Sequence, residues 1–487
     1  MPEQENEVLE EKEKDDIIIE ETETEPMETA EPAMDTKPVR NRFWTGVLVG
    51  ALVTAFCALL VVGMAAGIWT VARRVKKENS AQVQASQNSE SSTDEAKSGV
   101  NLDMEMISLK LNYIQQQIDT YYLFNEEELQ EDPVEWMYSG YVYALEDPYS
   151  AYYTAEEYQS LEESNEGEYC GIGVQVSQNA YTKIINVVKV FKGTPAEGAG
   201  MLPGDILTAV DDTDVTSMDL SLVVSDYIKG TEGTEVVITV YRESIGEYLE
   251  LTMNRAIVQN PTVEYEMLDI NIGDIYLSAF EEVSSEQFKK AVDDLEADGM
   301  EAMVLDLRNN GGGVVTAAKS IADYLLPDGM TMVSFKGKGV ADSTYVAEDG
   351  HQVDVPIVVL ANGESASAAE VLTGALKDND WATVVGTNTF GKGIAQGLFE
   401  IPDGSALKLT TAYYYVPSGE CIHEIGIAPD VEVDLKEELK SMIEVPKEDD
   451  NQLQAAVEVL RDGKDAVIER LTAEAEAESA AETEAED

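Results

Sequence analysis

The sequence predicts an α/β protein that contains several domains and is joined to a membrane by one helix. Three observations lead to this fold class. The chain is 487 residues long and 44 % hydrophobic, which is enough for more than one packed core. In its second half, apolar strands alternate with helices, as they do in α/β domains. Residues 43–72 form an uncharged run of about thirty residues, longer than the roughly twenty that span a bilayer.

Acidic residues dominate the charge of the chain. It has 95 Asp and Glu against 32 Lys and Arg, a formal net charge of -63. Such a surface repels nucleic acid and anionic lipid head groups, so no nucleic-acid partner is expected. The acidic residues are concentrated at both ends. We interpret residues 1–42 and residues 472–487 as two solvated tails.

We interpret residues 43–72 as an uncleaved transmembrane helix, because this run exceeds the roughly 7 to 15 apolar residues of a signal peptide. Residues 73–101 are polar and form a linker. Basic residues flank both ends of the helix. The positive-inside rule therefore does not fix the orientation, and it slightly disfavours placing the large carboxyl-terminal part outside.

The rest of the chain divides by its apolar pattern. Apolar residues recur at helical spacing in residues 102–165, where the sequence DPYS at 147–150 marks a stop. From 169 to 255, short apolar runs bounded by Gly, Asp and Thr predict strands. Residues 436–471 include an amphipathic stretch and predict a helical region.

Three strand and loop units carry the chemically suggestive residues. The strand AMVLDL (302–307) is followed by RNNGGG, PIVVLA (356–361) by NGESAS, and WATVVG (381–386) by TNTFGKG. If the three strands are parallel, their carboxyl ends lie along one edge of the sheet, where α/β proteins place their ligands. The glycines, the serines and the lysine of these loops then converge on one face.

A serine needs an adjacent base to act as a nucleophile, and that base is most often histidine. The chain has only two histidines, His351 and His423, and neither lies in these loops. Lys392 serves as the base if an apolar pocket lowers its pKa from about 10.4. Taken alone, a lysine between glycines is more often part of a surface turn.

Backbone N–H groups are the candidate stabilisers of an oxyanion. Ser367 begins a predicted helix, where free N–H groups favour negative charge, so the Ala368 N–H is one candidate donor. The second is Gly312 or Gly313, whose missing side chain lets a substrate carbonyl approach. No CxxC pair or histidine-rich spacing occurs, so no metal cofactor is expected.

Residues 169–255 resemble a PDZ domain. The resemblance rests on a GIG loop before the first apolar strand and on the run GAGMLPGDILTAV (198–210). In such a domain a peptide adds as a strand to the sheet edge, and N–H groups of the glycine loop hold its terminal carboxylate. The resemblance assigns this role to Gly171, Ile172 and Gly173. A tight turn without a ligand is the alternative.

Residues 104–433 resemble the carboxyl-terminal processing proteases, the tail-specific serine-lysine peptidases of family S41 that carry a PDZ domain. Besides DPYS and the PDZ run, the shared motifs are LDLRNNGGG, SASAAE, TFGKGIAQ and PSGECIHEIGIAPD. The resemblance implies a ClpP/crotonase-like α/β protease core at residues 256–435, with serine-lysine catalysis that needs no cofactor.

Carried over to this chain, the resemblance makes Ser367 the nucleophile, Lys392 its general base and Gln396 the residue that orients the lysine. Ser365 becomes the nucleophile if the match is shifted by two residues. The implied reaction is peptide hydrolysis through an acyl-enzyme. The resemblance gives His423 a loop role only.

The resemblance also implies partners and a location. It implies a homodimer and protein substrates that are captured by their free carboxyl termini. It also implies a single-pass cell-membrane protein, with residues 1–42 as a cytoplasmic tail and the catalytic part outside the cytoplasm. Two other function classes stay open. A catalytically silent PDZ adaptor that binds protein carboxyl termini has no need for Ser367, Lys392 and Gln396 together. A small-molecule α/β enzyme explains neither the PDZ run nor the membrane helix.

Overall fold

The structure is a computed structural model that describes residues 102–124, 132–268, 270–442 and 445–486. The predicted amino-terminal tail, transmembrane helix and linker lie outside these described residues. Within the described ranges, no helix combines the length and apolar character needed to cross a bilayer. The chain divides into two units, Met1–Tyr122 and Leu123–Asp487.

The first unit contributes the described helix α1, Met104–Tyr121. The helix begins after Asp103, whose carboxylate accepts a hydrogen bond from the Met106 N–H at 3.1 Å and so satisfies one of the free donors of the first turn. The homodimer implied by the resemblance stays a prediction.

The second unit begins with two helices that enclose a short strand. They are α2 (Pro133–Tyr143), β1 (Ala151–Tyr153) and α3 (Ala155–Glu166). The sequence predicts helices throughout this region, so strand β1 is a departure from that prediction. It forms because residues 151–153 pair antiparallel with the distant strand β18, Ala406–Tyr415. A local pattern does not reveal a partner that is more than 250 residues away.

The PDZ-like part is a small antiparallel sheet with short helices. Its elements are β2 (Glu168–Gly171), β3 (Val174–Gln178), β4 (Ile185–Val190), α4 (Pro195–Gly198), β5 (Ile206–Val210), β6 (Thr213–Asp214), α5 (Leu220–Leu222), β7 (Glu235–Arg242), β8 (Glu247–Asn254) and β9 (Ala256–Gln259). A π-helical turn, Val223–Ile228, continues α5. In the described chain the strand order is β3-β4-β5-β7-β8, which leaves β3 at an edge.

The core of the protease-like part is a largely parallel sheet. Its strands and helices are β10 (Val263–Leu268), β11 (Ile272–Leu277), α6 (Ser284–Ala297), β12 (Ala302–Asp306), α7 (Val315–Leu325), β15 (Ile357–Ala361), α8 (Ala368–Asp378), β16 (Ala382–Gly386) and β19 (Val431–Glu432). The described strands follow the order β10-β11-β12-β15-β16-β19, and all neighbours except β10 and β11 are parallel. The predicted parallel arrangement of β12, β15 and β16 is confirmed.

Helices cover both faces of this sheet, which explains why β12 and β15 are buried at every position. Alternate residues point to opposite faces of a strand. Leu305 packs in the cluster that contains α6, α7 and α8, whereas its neighbour Val304 packs with Leu453 of the carboxyl-terminal helix α9, Asn451–Asp462. The two clusters fix the sheet from both sides.

A second sheet lies beside the parallel one. It contains β1, β13 (Thr331–Gly337), β14 (Ser343–Val346), β17 (Ile394–Glu400) and β18. The strand pattern of residues 394–400 is confirmed, but β17 pairs antiparallel with β18 and does not join the parallel sheet. The loop before β17 therefore leaves one sheet and enters the other.

The carboxyl-terminal region forms two helices, α9 and α10 (Lys464–Glu486). They are separated at Gly463, whose φ of 86° ends α9. Helix α10 continues through most of the predicted acidic tail. Asp450 begins α9 by accepting hydrogen bonds from two N–H groups of its first turn, both at 3.0 Å.

A largely buried arginine, whose side chain is 14 % exposed, joins α9 to the end of β12. Arg308 Nη2 lies 2.6 Å from Asp306 Oδ2 and 2.8 Å from Asp450 Oδ2. The same guanidinium donates to Gln452 Oε1 at 3.0 Å through Nη1. The planar fork of an arginine suits this shared arrangement. The carboxyl-terminal helices are thereby attached beside the glycine-rich loop.

Candidate active site

The three loops that follow β12, β15 and β16 meet at one edge of the parallel sheet. Because the strands are parallel and in register, their carboxyl ends are neighbours. The loops are residues 307–313, 362–367 and 387–393. Direct hydrogen bonds join them: the Ala366 N–H donates to the Asn310 carbonyl at 2.9 Å, and the Phe390 N–H donates to the Ser365 carbonyl at 3.1 Å. The predicted convergence of the loops is confirmed.

Ser367 has an unusual backbone conformation at the start of α8. Its φ is 56° and its ψ is -113°, outside the regions that a residue with a side chain ordinarily adopts. Such a conformation costs about 1 to 3 kcal/mol and persists only when neighbours enforce it. The hydroxyl of Tyr414 donates to the Ser367 carbonyl at 3.2 Å, and burial raises the pKa of Tyr414 well above its usual value. The side chain of Ser367 is partly exposed.

Ser365 has a different environment from Ser367. It is fully buried, with 0 % of its surface exposed. Its Oγ donates to the Leu307 carbonyl at 2.7 Å and accepts from the Asn362 N–H at 2.9 Å. A substrate has no access to a hydroxyl that is buried and bonded in this way. The geometry therefore favours Ser367 over the alternative nucleophile.

Two backbone N–H groups beside Ser367 have no acceptor in the part of the chain that the structure describes. They belong to Ala368 and Gly313. The Gly312 N–H is engaged, because it donates to Asn310 Oδ1 at 2.9 Å. This bond leaves Gly313 as the better glycine candidate for stabilising an oxyanion.

Gly312 contributes by its lack of a side chain. Its φ is 98°, and a Cβ at this position would lie 2.7 Å from the Ala366 carbonyl oxygen and 2.8 Å from the Ser367 Cβ. Any other residue would push the glycine-rich loop away from the serine. Gly312 therefore allows the two loops to approach closely.

Lys392 is partly buried in the loop before β17. Burial, helped by the positive charge of Lys408, lowers the pKa of Lys392 below its usual value, while Asp147 and Glu370 oppose this shift. The Nζ atom lies 4.5 Å from the centre of the Tyr149 ring. The described residues show no hydrogen bond between the Lys392 and Ser367 side chains.

Glu370 is a functional candidate that sequence reasoning missed. It is fully buried, and its carboxylate accepts four hydrogen bonds. Oε2 accepts from the N–H groups of Ser367 and Lys392, both at 2.9 Å. Oε1 accepts from Thr389 Oγ1 at 2.6 Å and from the Gly391 N–H at 2.7 Å. One carboxylate thus connects the backbone of the serine to that of the lysine.

A sequence signal for Glu370 does exist. A glutamate three residues after a serine that precedes an apolar helix is the pattern of a capping box. In an ordinary capping box the glutamate accepts a hydrogen bond only from the N-cap residue of its own helix. Here the carboxylate also reaches the loop that carries Lys392, which the local pattern does not reveal.

Gln396 lies on β17, next to an irregularity in its pairing with β18. Its Nε2 donates to Thr410 Oγ1 at 3.3 Å. No hydrogen bond from Gln396 to Lys392 is present among the described residues. The orienting role that the resemblance implies for Gln396 stays a prediction.

The GIG loop lies between β2 and the edge strand β3. Gly173 has a φ of 85°, and a side chain there would overlap Thr194, so glycine is required. Ile172 is 1 % exposed, and its side chain belongs to the core of the PDZ-like part. Its carbonyl accepts from the Ala196 N–H at 2.9 Å, which fixes the loop.

A cavity of about 530 Å³ lies beside this loop. It is bounded by β3 and by the π-helical turn, and its PDZ-side lining is mainly apolar: Ile172, Val174, Val176, Phe191, Val224 and Ile228. Residues of the protease-like core, including Thr262 and Ser278, line another side. The cavity therefore continues from the PDZ-like sheet onto the core.

The described ranges of the chain contain no candidate metal site. No group of three or more His, Cys, Asp or Glu side chains in those ranges is arranged to hold a metal ion. The convergence of the loops that carry Ser367, Lys392 and two free N–H groups suits acyl transfer through a serine ester.

Family models match both folded parts of the chain. Peptidase family S41 matches residues 271–433, and a PDZ domain matches residues 187–242. The first match contains Ser367 and Lys392. The second contains most of β4 and all of β5 and β7.

Proteins of this family are similar over much of the chain. The carboxy-terminal processing protease CtpA of Bacillus subtilis (strain 168) is 34 % identical over 333 residues, which cover 68 % of this chain and 70 % of that protein. The carboxyl-terminal-processing protease of Synechocystis sp. is 34 % identical over 323 residues, 66 % of this chain and 75 % of that protein. A solved photosystem II D1 C-terminal processing protease is 26 % identical, covers 76 % of this chain and 99 % of its own, and has a TM-score of 0.40.

The matches agree with the site that the fold assembles. The family model spans the three loops, and a relative with 34 % identity extends beyond it into the PDZ-like part. The chain therefore belongs to peptidase family S41, the carboxyl-terminal processing proteases, and is a serine peptidase with a PDZ domain.

Proposed function

We propose that this peptidase cleaves proteins by serine-lysine catalysis, with Ser367 as the nucleophile and Lys392 as the general base. One observation carries the proposal. A strained, partly exposed serine and a partly buried lysine are held by the same carboxylate, that of Glu370. The buried and bonded state of Ser365 gives further support.

In this mechanism Ser367 Oγ attacks the carbonyl carbon of the scissile peptide bond and gives its proton to the neutral Lys392 Nζ. The oxyanion of the tetrahedral intermediate lies against the N–H groups of Ala368 and Gly313. The intermediate collapses to an acyl-enzyme as Lys392 protonates the leaving amine. Lys392 then takes a proton from the water that hydrolyses the ester.

We also propose that the PDZ domain captures the free carboxyl terminus of a protein substrate. An added strand would pair with the edge strand β3, with the terminal carboxylate at Gly171, Ile172 and Gly173. The apolar cavity beside β3 is suited to the side chain of the last residue. Because the cavity continues onto the core, a captured tail lies next to the protease part.

Tail capture is tested by blocking the carboxylate. Hydrogen bonds to a charged group contribute about 1.5 to 3 kcal/mol, so amidation of the substrate's last residue is expected to lower kcat/KM about tenfold or more. The measurement compares one unfolded protein with a free and with an amidated terminus. The Ser367→Ala variant provides the background rate. Equal rates for both termini would contradict tail capture but leave the peptidase mechanism standing.

We further propose that residues 43–72 anchor the chain in the cell membrane and that the part from Val75 onward lies outside the cytoplasm. The uncharged run supports this, as does the location implied by the resemblance. External protease added to intact cells is expected to digest the PDZ and protease parts. If these parts are shielded until the membrane is opened, the orientation is wrong.

A further inference from the structure

The turn Asp147–Ser150 is a compact element that carries the DPYS motif. Asp147 Oδ1 accepts from the Tyr149 N–H at 3.0 Å, and Oδ2 accepts from Ser150 Oγ at 2.6 Å. Burial alone raises the pKa of Asp147, but these hydrogen bonds outweigh it and hold the pKa below its ordinary value. The turn is therefore built around a carboxylate that is ionised at neutral pH.

The turn is attached to the sheet that carries the lysine loop. The Thr410 N–H donates to Ser150 Oγ at 3.0 Å, and Thr410 Oγ1 accepts from Gln396 Nε2. Directly after the turn, β1 pairs with β18. Tyr149 is thus held at a defined place relative to β17 and β18, although it lies more than 200 residues before them.

The Tyr149 ring faces the candidate base. Lys392 Nζ lies 4.5 Å from the ring centre, within the range of a cation–π contact. The charged groups around this ammonium are Asp147 from the turn, Lys408 from β18 and Glu370 from α8. Among these groups, the ring has a recorded contact with Nζ itself.

We propose that Tyr149 is a positioning residue for Lys392: its ring binds the lysine in the ammonium form, and the turn Asp147–Ser150 holds the ring at the catalytic site. This inference rests on the proposed role of Lys392 as the base. The catalytic site then includes a segment that precedes the PDZ domain in the chain.

The contact has a defined effect on the proton affinity of the base. A cation–π contact stabilises the ammonium and raises the lysine pKa, which opposes the lowering by burial. The contact therefore sets the pH above which Lys392 becomes neutral and able to accept the serine proton. To act, Lys392 exchanges the ring for the hydroxyl of Ser367.

The test is the pH dependence of kcat/KM for the full-length chain in detergent, with an unfolded protein substrate. Tyr149→Leu removes the ring and keeps an apolar cover. The acidic limb of the pH profile of this variant is expected to move to lower pH by about 0.5 to 1 unit. The reason is that the ring no longer stabilises the ammonium form of Lys392, so the lysine loses its proton at lower pH. Tyr149→Phe keeps the ring and is expected to restore the wild-type midpoint.

A matched control is available away from the catalytic loops. The centre of the Tyr345 ring is 3.4 Å from Lys319 Nζ, so Tyr345→Leu removes a similar contact from a lysine that is not the base. Its midpoint is expected to stay at the wild-type value. If Tyr149→Leu does not fold, Ser150→Ala replaces it, since this change frees the turn from Thr410 and is expected to give a smaller shift in the same direction.

The outcomes separate this inference from the proposed function. An unmoved midpoint, or a shift to higher pH, in Tyr149→Leu would overturn the positioning role, the latter because it would show that the ring only excludes water. Lys392→Ala, assayed in parallel, tests the base itself. If Lys392→Ala stays active, the proposed function fails. If it is inactive and the Tyr149 variants have the wild-type profile, this inference alone fails.

Discussion

Lys392→Arg is expected to lower kcat by about a thousandfold or more, because a guanidinium stays protonated and does not accept the proton of Ser367. The side chain keeps its positive charge and approximate length, so the change isolates the loss of a neutral base. The measurement is steady-state cleavage of an unfolded protein with a free carboxyl terminus. Binding of a peptide tail to the PDZ domain is expected to be unchanged.

The control for this variant is Lys436→Arg, the same substitution at an exposed lysine of the same unit. It is expected to have wild-type kcat. A double variant, Ser367→Ala with Lys392→Arg, is expected to be no slower than either single variant, because groups that act as one unit are not additive. More than a tenth of wild-type kcat in Lys392→Arg would exclude Lys392 as the base.

Glu370→Gln is expected to lower kcat about a hundredfold and to change KM little. The native carboxylate receives two donors on each oxygen. An amide places its own NH2 group against two of these donors and loses both bonds. A displacement of about 1 Å between a nucleophile and its base is sufficient for a hundredfold loss of rate. The expected defect therefore lies in the chemical step.

Two measurements distinguish positioning from simple destabilisation. The first is the rate at which a fluorophosphonate labels Ser367, which is expected to fall in parallel with kcat. The second is the circular dichroism spectrum at the assay temperature, which is expected to match that of wild type. Glu364→Gln, at an exposed glutamate in the loop that precedes α8, is the matched control. Wild-type kcat and labelling with only a lower Tm would assign Glu370 a structural role alone.

Much of the site's scaffold could be predicted because it depends on local patterns. Apolar runs at 302–307, 356–361 and 381–386 predicted buried parallel strands. The residues after these strands belong to loops at one edge of the sheet. The start of α8 at Ser367 followed from the change of pattern after the second strand. These features need only the order of residues and the rule that parallel strands share a direction.

Features that depend on contacts distant in sequence could not be predicted. The pairing of β1 with β18 brings Tyr149 to Lys392, and no pattern within either segment shows it. Strand β17 was recognised as a strand, but its choice of sheet depends on β18. The difference between Gly312 and Gly313 is local, but it depends on one hydrogen bond from the Gly312 N–H to Asn310 that the order of residues does not reveal. These pairings and hydrogen bonds are visible only in the folded structure.

The shared bonds of Arg308 limit where the chain can be shortened. Arg308 lies four residues before Gly312. A cut before Asp450 would remove one of the two carboxylates that hold its guanidinium. Arg308 would keep Asp306 but lose its bonds to Asp450 and Gln452. A hydrogen bond to a charged group contributes about 1.5 to 3 kcal/mol, a large share of the stability of a typical domain. Truncations and fusion joints designed for this protein should therefore leave α9 intact and begin beyond Asp462.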